Sequence, residues 1–124
     1  MKKAVIVVGA ANTGKSTTIR EFKKLVKMLS FHIFTLDDRR GYILSCSFEE
    51  AEWDVDVKIK SLSDYDFLVL ASQGTELDNI RRALNKEHFD FENVNTVLGE
   101  PLECAKDQAK SVLVLLRESC LAYG

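Results

Sequence analysis

The chain has 124 residues, of which 46% are hydrophobic and 29% charged. That suffices for one sheet covered by helices and reads as a single domain over residues 1–124. The formal net charge of −2 gives no reason to expect a nucleic-acid or membrane surface, and no apolar run approaches the length needed to span a bilayer. Cys46, Cys104 and Cys120 are odd in number and lack metal-ligand spacing, so free buried thiols in a reducing cytoplasm are expected.

Met1-Lys2-Lys3 leads straight into the apolar run Ala4-Val5-Ile6-Val7-Val8, without the longer apolar region and cleavage site of a signal peptide. The run reads as a short strand buried on both faces, as parallel strands usually are. Gly9-Ala10-Ala11-Asn12-Thr13-Gly14-Lys15-Ser16 follows, spaced G-x-x-x-x-G-K-[ST], and an amphipathic stretch begins at Ser16. Each part of that spacing has a physical task. Glycines at 9 and 14 lack a Cβ and permit a tight turn. Successive N–H groups then form an anion-binding nest at a helix N-terminus. Lys15 is expected to reach the β- and γ-phosphates, and the Ser16 hydroxyl to bind Mg²⁺.

Residues 16–29 predict a helix, with Ile19, Phe22, Val26 and Leu29 on one stripe and Arg20, Lys23, Lys24 and Lys27 on a solvated cationic face. Residues 31–36 and 42–47 read as two strands separated by Asp37-Asp38-Arg39-Arg40-Gly41. That break suits a hairpin loop; a parallel arrangement would instead turn the two aspartates toward the nucleotide. Residues 48–62 carry both strand and helix periodicities, with capping-box spacing at Ser47…Glu50. Because a buried parallel strand follows at 66–71 and needs a long crossover, the segment is taken as mostly helical. Thr75 is expected to cap a helix carrying Leu77, Ile80 and Leu84. A fifth strand is predicted at 94–98, and Gly99-Glu100-Pro101 breaks it before a last helix with Leu102, Ala105, Ala109, Val112, Leu113 and Leu116 on its buried stripe.

The loop at 9–16 in its strand–loop–helix context resembles the P-loop NTPase superfamily, on residues 4–29. The layout of the whole chain is similar, less sharply, to that of small bacterial ATP-binding P-loop proteins. The resemblance implies an α/β/α three-layer sandwich with a mainly parallel five-stranded sheet. It also implies nucleotide binding by Gly9, Ala10, Ala11, Asn12, Thr13, Gly14, Lys15, Ser16 and Thr17.

A phosphoryl-transferring site also needs a metal-holding carboxylate, a group that positions the attacking atom, and positive charge. The strand at 66–71 leads into Ser72-Gln73, with Asp66 at its wrong end, so the usual Walker B acid is missing. Asp37 (metal) and Asp38 (catalysis) are candidate substitutes, a placement similar to that in small-molecule kinases of the shikimate-kinase kind. Gln73, beside Ser72, is a candidate to sense the γ-phosphate or orient a water, and Lys15 completes the catalytic set. Arg39 or Arg40 could close over the nucleotide, whereas Arg81 and Arg82 are expected on a solvated helix. Asn85-Lys86-Glu87-His88 and Asp38-Arg39-Arg40-Gly41 match guanine-nucleotide motifs only in part, so ATP is favoured over GTP. The expected function is a cytoplasmic Mg²⁺-dependent ATPase or small phosphotransferase. The alternative is a nucleotide-responsive binding or regulatory module, which as a homo-oligomer could complete its site with a neighbour's arginine; a GTPase-like switch ranks third.

Overall fold

The computed structural model describes residues 2–9, 15–96 and 102–121, and the side chains among them except those of Leu102 and 118–121. Within these residues lie six strands, β1 (Lys2–Val8), β2 (Lys27–Met28), β3 (Ile33–Leu36), β4 (Arg39–Ile43), β5 (Phe67–Ser72) and β6 (Phe89–Asn95). Five helices accompany them, α1 (Lys15–Lys23), α2 (Phe48–Ala51), α3 (Val55–Ser61), α4 (Leu77–Lys86) and α5 (Leu102–Leu121). The strands form one mixed sheet in the order β2-β3-β4-β5-β1-β6. β4, β5, β1 and β6 run parallel to one another, and β3 is antiparallel to both β4 and β2.

Strand alternation divides the core in two. On one face Val5, Val7, Phe67, Val69 and Ala71 pack with Ile19 and Phe22 of α1 and Ala109, Val112 and Leu116 of α5. On the other, Ala4, Ile6, Leu68 and Leu70 pack with Phe48 of α2, Val55 and Ile59 of α3, and Ile80, Ala83 and Leu84 of α4. The central strands β1 and β5 are thus apolar at successive positions, as burial on both faces requires.

The sheet has six strands rather than five, and the added strand comes from the expected first helix. α1 stops at Lys23, closed by Lys24 N–H to Glu21 O (3.2 Å) and Leu25 N–H to Phe22 O (2.9 Å). Beyond it Val26 and Met28 are half-buried while Leu25, Lys27 and Leu29 are exposed. That alternation has strand period, and Lys27 and Met28 pair with Thr35 and Phe34. The stripe that extended the helix to Leu29 was a coincidence of two periodicities. β6 begins at Phe89, earlier than residue 94; it lies at the sheet edge, where alternate acids can face water. Residues 97 and 98 lie outside the described residues.

Between β3 and β4 the hairpin turn contracts to Asp37-Asp38, with φ of 53° and 64°. Two successive left-handed residues are what a type I′ turn needs to match the twist of its strands. The crossover at 48–62 is helical in two pieces. Ser47 Oγ caps α2 at Glu50 N (3.2 Å), Glu52 turns left-handed, and Asp54 Oδ1 caps α3 at Val57 N (3.0 Å). Cys46 is exposed and Cys104 half-buried, so the expectation of buried thiols fails for Cys46. No helix among the described residues is long and apolar enough to cross a membrane.

Candidate functional site at the carboxyl edge of the parallel strands

Open parallel sheets hold ligands beyond the carboxyl ends of their strands. In this sheet that edge is where β1 runs into Gly9 and α1 starts at Lys15. The root of the connecting loop is tied on both sides. Gly9 N–H donates to Ser72 O at the end of β5 (3.0 Å), and Thr96 N–H, just past β6, donates to Val8 O (2.8 Å). The start of α1 is fixed through Thr18, whose hydroxyl donates to Gln108 Oε1 (2.7 Å), while Gln108 Nε2 donates to Asn95 O (3.1 Å). Lys15, only 6% exposed, folds back so that Nζ donates to Gly9 O (2.7 Å). This bond places the ammonium beside Gly9, at the end of β1. Ser16 is exposed and Thr17 half-buried in the first turn. Ala10, Ala11, Asn12, Thr13 and Gly14 lie outside the described residues.

Ser72 is level with Val8 in the β1–β5 register, so Gln73 follows beside Gly9. The structure therefore brings Gly9, Lys15, Ser16, Thr17 and Gln73 to one edge. Asp37 and Asp38 are not among them. Asp38 precedes by three positions Gly41, which is level with Phe67 and through it with Lys3. Gly9 lies six positions beyond Lys3, and at the strand rise the two levels are about 30 Å apart. The cause is antiparallel pairing: a hairpin entering β4 must turn at the edge where the parallel strands begin. There Asp37 Oδ2 meets Arg117 Nε at 3.4 Å. Asp38, Arg39 and Arg40 line a cavity of about 430 Å³ with Tyr65 and Asp66, at that same far edge.

An acid absent from the sequence reading occupies the carboxyl edge instead. Glu49, in the first turn of α2, presents Oε2 to Ser72 Oγ (2.9 Å), Thr75 Oγ1 (3.2 Å) and Glu76 N–H (3.1 Å). Ser72, fully buried, also accepts Gly74 N–H at Oγ (3.0 Å). Burial pushes the Glu49 carboxyl up, but backbone hydrogen bonds at Gln73, Glu76 and Glu49 itself, with the Ser72 hydroxyl, outweigh it and hold the group below the ordinary carboxylate range. Thr75 does not cap α4 with its own side chain. The cap position is Glu76, which makes no side-chain cap bond, and the Glu49 carboxylate takes the Glu76 N–H from outside the helix. An anion at a helix N-terminus is favoured by the dipole as well. The one sequence signal for Glu49 was its position in the first turn of a helix that leaves the end of a parallel strand. The capping-box pattern marks Glu50 instead, and Ser47 Oγ does donate to Glu50 Oε1 (2.9 Å).

Among the described residues no group of three or more His, Cys, Asp or Glu could hold a metal ion. No family model matches the chain, and no curated protein matches it. The fold is similar to the solution NMR structure of a de novo designed protein described as having the PFK fold. The identity is 16%, with 94% of this chain and 91% of that chain covered and a TM-score of 0.53. At that identity the likeness concerns the fold alone.

Proposed function

We propose that the chain is an ATP-binding P-loop protein of the three-layer NTPase type, which binds Mg-ATP through Gly9–Ser16 and cleaves or transfers its γ-phosphoryl group. The observation that carries this reading is the complete G-x-x-x-x-G-K-S spacing between β1 and α1, with Lys15 beside Gly9. Lys15 would exchange its bond to the Gly9 carbonyl for phosphate oxygens, and backbone N–H groups at the start of α1 would take the rest of the charge. Gln73, beside Gly9, would face the γ-phosphate.

The donor set bears on the metal. Mg²⁺ prefers phosphate oxygens and waters with one or two protein oxygens, and the exposed Ser16 hydroxyl fits that role. Asp37, about 30 Å away along the strands, does not fit. When bound, the ion would neutralise charge on the β- and γ-oxygens. Isothermal titration with Mg-ATP and Mg-GTP, and ADP release, on wild type and Lys15→Ala test the reading. Binding of Mg-ATP that Lys15→Ala leaves unchanged would sink it, and preference for GTP would revive a GTPase-like switch.

A second reading, a nucleotide-responsive binding module with little turnover, is favoured by the bond that engages Ser72 Oγ with Glu49 Oε2 and by the place of Asp37 and Asp38 at the far edge. Tight Mg-ATP binding without ADP release selects it. A second copy could complete the site with an arginine, in which case specific activity rises with protein concentration.

A further inference from the structure

A groove of about 330 Å³ lies along α1, lined by Ser16, Ile19, Arg20, Lys23, Phe31 and Ser45. It begins at Ser16, the last residue of the phosphate-loop spacing, and runs between the helix and the turn from β2 to β3. Three features define what it would accept.

The first is an aromatic wall. Phe31 is 72% exposed, with the Lys23 ammonium 4.1 Å from its ring centroid and the His32 ring edge-on at 4.7 Å. Apart from those contacts the large apolar ring stands in water, and the buried Ile19 lines the same groove. The second is positive charge. Arg20 and Lys23 make no ion pair among the described residues; the neighbouring acid, Glu21, is turned to Lys24 at 2.8 Å. Burial lowers the Lys23 pKa, a cost that an anion in the groove would offset. The third is Ser45 Oγ, buried with no hydrogen-bond partner among the described residues. A buried hydroxyl is normally paired; Ser45 also lines the groove, and rotation of its short side chain would bring the hydroxyl to an oxygen of a bound ligand.

We propose that this groove binds a small aromatic anion, a ring bearing a carboxylate or phosphate, beside the nucleotide's triphosphate. The ring lies against Phe31 and Ile19, and the anionic head meets Arg20, Lys23 and the Ser45 hydroxyl. The volume is at the lower end of small-ligand pockets, which suits one ring and its head group rather than a peptide. The proposal rests on the nucleotide reading for the identity of the neighbour, and on the groove's own residues for the ligand class.

The test is a titration of the ¹⁵N-labelled protein with benzoate and phenyl phosphate, using benzyl alcohol and inorganic phosphate as controls. Both aromatic anions are expected to shift the amides of Arg20, Lys23, Phe31 and Ser45. Affinity is expected to fall about tenfold in Phe31→Ala and in the double variant Arg20→Gln/Lys23→Gln, and each control to bind about tenfold more weakly. Lys15→Ala is expected to leave benzoate binding intact. The proposal is overturned if those amides do not move, if benzyl alcohol matches benzoate, or if Lys15→Ala abolishes binding while Phe31→Ala does not. The last result would put the anion in the phosphate loop. Benzoate binding without any Mg-ATP binding would remove the nucleotide reading and keep the groove.

Discussion

The Glu49 carboxylate accepts the Ser72 hydroxyl at 2.9 Å, joining the first turn of α2 to the end of β5. The same oxygen takes the Glu76 N–H, so one side chain fastens two crossovers at the edge where the loop root Gly9 also hangs on Ser72. Replacement Glu49→Gln keeps the shape and removes the charge. We expect a stability loss of about 1–3 kcal/mol in urea unfolding at neutral pH. The pH dependence has a defined sign. The folded carboxyl titrates below the ordinary range, so its contribution is present above the unfolded value and is lost as pH falls through the folded one. The gap between wild type and Glu49→Gln should therefore be flat at neutral pH and close in acid. A gap that widens toward low pH contradicts this account.

Lys15→Ala should weaken Mg-ATP binding by about 10–100-fold, the range for a lost charge-assisted hydrogen bond to phosphate. Thermal unfolding of the variant in the absence of nucleotide separates this effect from damage to the fold.

Asp38→Gly should leave nucleotide affinity and any turnover unchanged, because Asp38 sits at the far edge of the sheet. It should also stabilise the hairpin by about 1 kcal/mol, since glycine takes the φ of 64° without a Cβ penalty. Asp37→Asn should cost under about 1 kcal/mol, as the exposed pair with Arg117 is lost. A turnover defect in either variant, with stability intact, would return these aspartates to the chemistry.

Gly41→Ala should destabilise by about 1–3 kcal/mol. A Cβ at Gly41 would run into the ring of Phe34, its partner across β3–β4. That ring is itself wedged edge-on against Phe22 at 5.4 Å and stacked on Phe67 at 6.4 Å, so it cannot retreat. Chemical denaturation of Gly41→Ala alongside Gly41→Ala/Phe34→Leu checks the cause, because the smaller side chain should recover part of the loss.

Much of this was legible along the chain. Ala4–Val8 and Phe67–Ala71 are apolar at every position, which only burial on both faces permits, and they are β1 and β5. The capping box at Ser47 and Glu50 and the hairpin break near Asp37 are short-range patterns whose geometry follows from neighbouring residues. The end of α1 was not legible, because Val26 fits a helical stripe as well as the alternation of an edge strand. Only the available partner, Thr35 and Phe34 on β3, decided between them.

The sequence by itself therefore determined the buried strands, the flanking helices and the place of the G-x-x-x-x-G-K-S spacing between β1 and α1, since local spacing and hydrophobicity act within a few residues. Tertiary structure alone decided which acids stand near that loop. Asp37 and Asp38 follow Lys15 at a suggestive distance in sequence, yet antiparallel pairing of β3 with β4 carries them to the opposite edge. Glu49 has no marked spacing, yet the parallel crossover from β4 to β5 sets it on Ser72. Strand direction is a property of pairing between distant segments, and no local pattern encodes which end of the sheet a turn will occupy.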